Sequence, residues 1–447
     1  MQSEKAMQIG PISYPSPGRA WLSVIILMLC YVLSFIDRQI LTLMVDPIRK
    51  DLNVGDVQIS LLMGLSFALF YSICGLPMGY LVDTRRRNRL ITAGVVIWTL
   101  MTGLGGMTRH YWILFVSRMG VGLGESVLSP AALSLIADSF PTQRRATPVS
   151  VYLSGASVGL GLALLLGGMV IQWAQQFGEV TLPLLGQLHT WQLVLLIVAG
   201  AGLIFAPVML LVYEPMQRSA SGCSQASFRE LLRWLKEHRF AYLCHNGGFA
   251  LLAMALTAMG MWAPTYFSRV HHMSPGSIGL QFGLIFGIGC TLAIIVGGVL
   301  SDRLRRYGWR EANLIVGLVG AVLAIPPIIF GLSASNPDVA MFFMLPALMF
   351  LIFPFGAAAS AVQDMTPPRL RGQASALYLL VLSVFQYGIG PTLVAMVTQY
   401  VFQNDAAVGL SLMWVCSTAL ALSASILIAA IAPYRRSMQA ATALAAA

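Results

Sequence analysis

The sequence predicts an all-α membrane protein with twelve transmembrane helices in two pseudo-symmetric six-helix bundles. Composition is the first reason: 57% of the 447 residues are hydrophobic and only 10% are charged, where a soluble domain carries about 25% charged residues. Hydropathy is the second, because windows of about 20 apolar residues, each long enough to cross a bilayer, follow one another along the chain. The third is an internal repeat, in which the second half of the chain restates motifs of the first.

Taken in order, residues 1–20 form a polar tail without the n-region, h-region and cleavage site of a signal peptide, so the first span, starting at Trp21, is expected to serve as its own insertion signal. Spans are expected near 21–45, 57–82, 90–107, 111–136, 147–172 and 191–213, then 241–266, 277–300, 313–333, 339–362, 373–401 and 409–432. This divides the chain into an N-terminal bundle (21–213), a linker (214–240), a C-terminal bundle (241–432) and a tail (433–447) that ends in the low-complexity run "MQAATALAAA". Within the linker, "SFRELLRWLKEHRF" pairs a Ser227/Glu230 capping box with an amphipathic pattern. Phe228, Leu231, Leu232 and Leu235 oppose Arg229, Arg233 and Lys236, the pattern of an interfacial helix.

Outside the spans, lysines and arginines crowd the N-terminus, the even-to-odd connections and the C-terminus; the exceptions are Arg49, Lys50, Arg109 and Arg269. This bias places both termini in the cytoplasm. It also accounts for the net charge of +10 as a topology signal, with some attraction to membrane lipids and no nucleic-acid partner. The six cysteines are scattered without a CxxC or a metal-ligand spacing, so neither disulfides, nor a metal, nor a cofactor is expected.

The repeat is visible in two places. "GYLVDTRRR" after span 2 returns as "GVLSDRLRR" after span 8, and Ala131, Ala132, Ser134, Asp138, Pro141, Arg145 and Tyr152 return as Ala357, Ala358, Ser360, Asp364, Pro367, Arg371 and Tyr378. In the Gly-x-Leu-x-Asp-basic turn, glycine permits close helix contact and the aspartate lies near helix ends. Asp83, Arg87 and Arg145, with Asp302 and Arg371 in the second copy, are the candidate gating residues; topology alone is the other reading of their arginines.

Twelve spans, two related halves and "GYLVDTRRR" resemble the major facilitator superfamily over essentially the whole chain. More narrowly, "SFIDRQIL", "RMGVGLGES" and "DSFPTQRRATPVSVY" are similar to the bacterial Spinster-like branch, while anion:cation symporters share an Asp-Arg pair and an Arg-x6-Glu. The resemblance implies alternating access, spans 1 and 4 lining a central cavity, and a lysolipid or sphingoid-type cargo in a bacterial inner membrane. "GASVGLGLALLLGG" on span 5 lacks the Gly-Pro pair of drug:proton antiporters.

Of the 17 acidic residues only Asp37 and Glu125 lie deep, and the only deep arginines are Arg38 and Arg118. Each costs about 2.5–3.5 kcal/mol at a helix centre unless paired or hydrated. A rise of about 1.5 Å per residue puts Arg118 and Asp37 at similar depths, roughly 10–12 Å below one surface, with Glu125 two turns further along the face of Arg118. Arg38 points about 100° away from Asp37 and needs a different partner. Asp37 and Glu125 are therefore candidate carriers of a coupling proton, with Arg118 alternating between a carboxylate and an anionic substrate, because withdrawing a guanidinium raises a carboxylate's proton affinity. Arg38 is a second substrate-binding candidate. A static Asp37–Arg118 bridge that only orders spans 1 and 4 is the competing reading.

The second half supplies no deep charge. Spans 7 and 10 are rich in Met and Phe with Pro264, Pro346 and Pro354 as kink sites, and Gln386 and Tyr387 on span 11 are candidate substrate contacts or interhelical hydrogen bonders. A charged half facing an apolar half fits an amphipathic anionic or zwitterionic substrate moved with protons. A proton-coupled symporter of small organic anions is the alternative, and a ligand sensor on the same fold a further one. No HExxH, Walker A or nucleophile motif points to an enzyme.

Overall fold

A computed structural model of the chain describes residues 14–141, 144, 146–176, 180–182, 186–215 and 228–446. The spans run Pro17–Leu43, Asp56–Gly75, Arg87–Met107, Tyr111–Ser139, Thr147–Gln175 and Thr190–Leu211, then Arg239–His271, Pro275–Arg306, Ala312–Ser333, Pro337–Asp364, Pro368–Phe402 and Asp405–Leu444. They are called spans 1 to 12. Each grew from a predicted apolar run, and most ends fall within a few residues of expectation.

Two helical irregularities repeat with the sequence, while the π-helical turns of span 11 have no counterpart in span 5. Span 2 contains a π-helical turn at Leu61–Leu65 and its counterpart, span 8, one at Ile285–Cys290. Span 4 breaks after Glu125 and resumes at Leu128; span 10 breaks at Phe353 and Pro354. Of the three proline kink sites only Pro354 sits at a break, since Pro264 and Pro346 lie inside continuous helices.

Three features depart from expectation. The tail foreseen at 433–447 continues span 12 as helix to Ala446, with Tyr434 and Ser437 buried. Good helix formers, among them alanine, arginine, methionine, glutamine and leucine, carry it past Pro433. The linker helix is Phe228–Glu237, but its inner face is Leu231 and Trp234, while Leu232 is half exposed. Trp234 Nε1 donates to Tyr242 Oη at 3.1 Å, and that hydroxyl lies 2.6 Å from Thr366 Oγ1, so the helix is fastened to the second half through polar contacts. Finally, Val180–Leu182 and Gly186–Leu188 pair as a small antiparallel hairpin between spans 5 and 6. Cys223, Ser227, Arg145 and the side chain of Asp83 lie outside the described residues.

The core is divided unevenly. One large cluster joins both halves, from Ile40, Ile48 and Ile59 to Trp262, Phe282 and Val394. Towards the face that carries the termini it gives way to separate clusters, one built only from the first half (Ala20 to Val212) and one from the linker helix and second half (Leu231 to Ala441). The halves thus share apolar packing on one face and part on the other. Close backbone approach makes the shared seam: a Cβ on Gly168 would stand 2.6 Å from the Pro275 carbonyl, and one on Gly161 2.8 Å from Gly287 Cα. Spans 5 and 8 can meet this closely only through glycine.

Candidate functional site

Asp37 and Arg38 are consecutive on span 1, so their side chains diverge and meet span 4 at two levels. Arg118 Nη1 donates to Asp37 Oδ1 at 2.9 Å, both side chains being 2% exposed. Thr102 Oγ1 of span 3 donates to the other Asp37 oxygen. Two turns along, Arg38 Nη2 donates to Glu125 Oε2 at 2.5 Å. The polarity is crossed, since span 1 offers acid then base where span 4 offers base then acid. The sequence expectation that Asp37 meets Arg118 holds, and the separate partner needed by Arg38 is Glu125. Glu125 therefore belongs to Arg38 in this state rather than to Arg118.

Neither pair exhausts its polar atoms. Glu125 Oε1, Arg38 Nε and Arg118 Nε and Nη2 are buried without a hydrogen-bond partner among the described residues. An unsatisfied buried group costs about 1–3 kcal/mol, so such a cluster is suited to a ligand or water rather than to ordering helices. Aromatic rings surround it: the Arg38 guanidinium carbon lies 4.2 Å from the Phe67 ring centroid and 4.9 Å from that of Phe35. Tyr31 stacks on Tyr152 at 5.0 Å, and Tyr152 Oη is 3.2 Å from Ser129 Oγ. Tyr387 of span 11 comes within electrostatic reach of Arg38, and Gln386 beside it is half-buried without a hydrogen bond among the described residues.

These first-half aromatics escaped the sequence reading, which placed the apolar wall in spans 7 and 10. There the methionines are packing residues: Met254, Met259, Met261 and Met344 are buried in the shared core, and Phe342 points outward. Phe35 lies one turn and Tyr31 two turns before Arg38 on span 1, while Phe67 reaches Arg38 from span 2, an arrangement that composition by half does not register.

The candidate gating residues fare unequally. Arg87 is buried and binds Asp138 at 2.5 Å, Glu214 at 2.9 Å and the Ser134 hydroxyl at 2.8 Å, tying spans 3, 4 and 6 within one half. Asp302 is exposed and has no ion pair among the described residues, and Arg371 donates to the Gln363 and Thr366 carbonyls. The candidate gating residues Asp302 and Arg371 do not pair with each other in this state. Asp364 takes its place, accepting from Arg305, from Asn313 at 2.9 Å and from Tyr434 at 3.1 Å. The hub is a cation in one half and an anion in the other.

Ion pairs between the halves, among the described residues, lie on the face opposite the termini. Arg269 of span 7 binds Asp46 at 2.7 Å and Asp56 at 2.8 Å, and Arg49 binds Asp405 at 2.5 Å. Ser60–Thr392 and Val57–Gln399 hydrogen bonds lie just beneath. Arg49 and Arg269 are two of the four basic residues that stood against the charge bias, which was the signal available for them.

Residues 27–391 match the sequence profile of the Major Facilitator Superfamily. The chain belongs to the major facilitator superfamily. This superfamily member is a membrane transporter working by alternating access, not an enzyme. It is 26% identical over 382 residues to an MFS-type efflux pump of Mycolicibacterium smegmatis, covering 86% of this chain and 85% of that protein. It is 23% identical to protein spinster of Drosophila melanogaster over 71% of this chain, and spans 51% of that relative's length. Its fold matches the crystal structure of a bacterial homolog to the human lysosomal transporter Spinster, in an inward-facing and unoccupied conformation. The TM-score is 0.77 at 23% identity, covering 95% of this chain and 98% of that one.

Proposed function

We propose that this protein moves an amphipathic anionic or zwitterionic substrate, of lysophospholipid or sphingoid type, coupled to protons across a bacterial inner membrane, with both termini cytoplasmic. The observation that carries the reading is the crossed pair of buried ion pairs on spans 1 and 4 with its unpartnered oxygen and nitrogens. A substrate phosphate or carboxylate would engage the free nitrogens of Arg118 and Arg38. Drawing Arg38 from Glu125, or Arg118 from Asp37, would leave a carboxylate that recruits a proton, linking cargo and proton through shared arginines. The aromatic side chains around Arg38, with Tyr387 and Gln386 opposite, would receive the apolar body. Arg87 is proposed to hold the first half rigid, and Asp83, Arg145, Asp302 and Arg371 to act when the terminal face closes. With that face cytoplasmic, the halves are sealed outside and parted inside.

The test is intraliposomal pH in proteoliposomes given a lysophospholipid or a small organic acid. The expected result is a pH change with the lipid, lost in Glu125→Gln. Proton movement with the organic acid alone would transfer the protein to the anion-symporter reading, which the same arginines would serve. Undiminished proton flux in Glu125→Gln would remove Glu125 from the coupling.

A further inference from the structure

The turn between spans 8 and 9 does more than reverse the chain. Span 8 ends in a Schellman cap: Gly308 N–H bonds to the Arg305 carbonyl at 2.9 Å and Trp309 N–H to the Leu304 carbonyl at 3.1 Å, with Gly308 at φ +88°. A left-handed residue is required there, which is why glycine occupies it. The cap turns Trp309 and Arg310 back towards the helical continuation of span 12. The two segments enclose a cleft of about 620 Å³ whose lining includes Arg305, Trp309, Arg310, Met438, Gln439 and Thr442.

The charges here are unbalanced. Between Ser301 and Ala312 the turn holds Arg303, Arg305, Arg306 and Arg310 against Asp302 and Glu311. Glu311 is committed to Arg435 and Asp364 to Arg305. Arg310 is exposed and has no partner among the described residues. Trp309 is 51% exposed and Tyr307 80%, both at the end of a membrane span, where aromatic rings sit at headgroup level. The corresponding turn in the first half differs, since Arg87 is buried and consumed by Asp138 and Glu214. Among the described residues the first-half turn also exposes Arg86 and Arg89 but has no tryptophan beside them, whereas the second-half turn combines a concave wall, a free guanidinium and an interfacial indole.

We propose that this cleft is a binding site for the phosphate of an anionic phospholipid headgroup, held by Arg310 and the outward side of Arg305, with Trp309 against the glycerol region. The proposal does not depend on the transported cargo, for the cleft lies at the terminal face, apart from the charges of spans 1 and 4. Occupation would join the end of span 8 to the end of span 12, the elements that Asp364 and Glu311 already tie together.

The full-length protein in detergent would be offered equal phosphatidylglycerol and phosphatidylcholine and the retained lipid read by native mass spectrometry. The expected result is retention of phosphatidylglycerol over phosphatidylcholine. Arg310→Ala should lower it about fivefold, the worth of one basic residue at an anionic surface. Arg233→Ala, removing an exposed charge from the linker helix on the same face, should leave retention unchanged. Equal retention of the two lipids, or equal losses in both variants, would reduce the effect to general surface charge and overturn the proposal. Displacement of the lipid by millimolar inorganic phosphate would also overturn it, by assigning the cleft to a soluble anion.

Discussion

At the scale of single residues, the crossed pairs make unequal demands on their partners. Arg118→Ala would leave Asp37 buried with only the Thr102 hydroxyl, a loss of about 3–5 kcal/mol for a broken buried pair. Asp37→Asn in the same chain should return much of that stability, measured as thermal unfolding in detergent. Transport separates the two readings of the pair. If the neutral double variant is stable and carries substrate at the native rate, Asp37–Arg118 is only a brace; stability regained without transport assigns it to the cycle. Both partners of this pair were legible in the sequence because so few charges lie deep and helical rise fixes their depth. The Arg38–Glu125 bond was legible only as a need, since the rotation of span 1 against span 4 depends on packing that no local pattern contains.

At the scale of elements, the seal opposite the termini rests on two devices that can be weakened separately. Arg269 gathers Asp46 and Asp56 from the other half, so Arg269→Ala should raise the population opened on that face. Arg269→Lys, which keeps the charge without the planar fork, should lie between. The glycine seam is the second device. A side chain at Gly168 would meet the Pro275 carbonyl, and Gly168→Leu should disfavour the present state by about 1–3 kcal/mol, as overpacking does. The alkylation rate of a cysteine at Thr392, which bonds Ser60 across the seam, in a chain otherwise free of cysteine reports both changes; unaltered rates would show that the seal lies elsewhere. Span existence and order were legible from hydropathy alone. The break in span 10 was legible at Pro354; the break in span 4 and the π turns in spans 2 and 8 were not, because they answer to neighbouring helices. The amphipathic linker pattern told the helix but not its inner face, since Trp234 finds a tyrosine hydroxyl rather than lipid.

At the scale of the whole molecule, the repeat supplies a frame and the two halves diverge in what they do with it. The first half concentrates the deeply buried charge, with aromatic rings gathered around Arg38; the second supplies most of the shared apolar core. This asymmetry has an electrical consequence. With both carboxylates ionised, the four charges of spans 1 and 4 sum to zero, and their passage from one side to the other does no work against the membrane potential. One proton makes the group a monocation, on which a potential of 100 mV exerts about 2.3 kcal/mol per charge fully crossed. A zwitterionic cargo leaves that charge in place, while a monoanion cancels it. Loaded with the first the carrier would generate current and respond to voltage; loaded with the second, at one proton per cycle, it would be electrically silent.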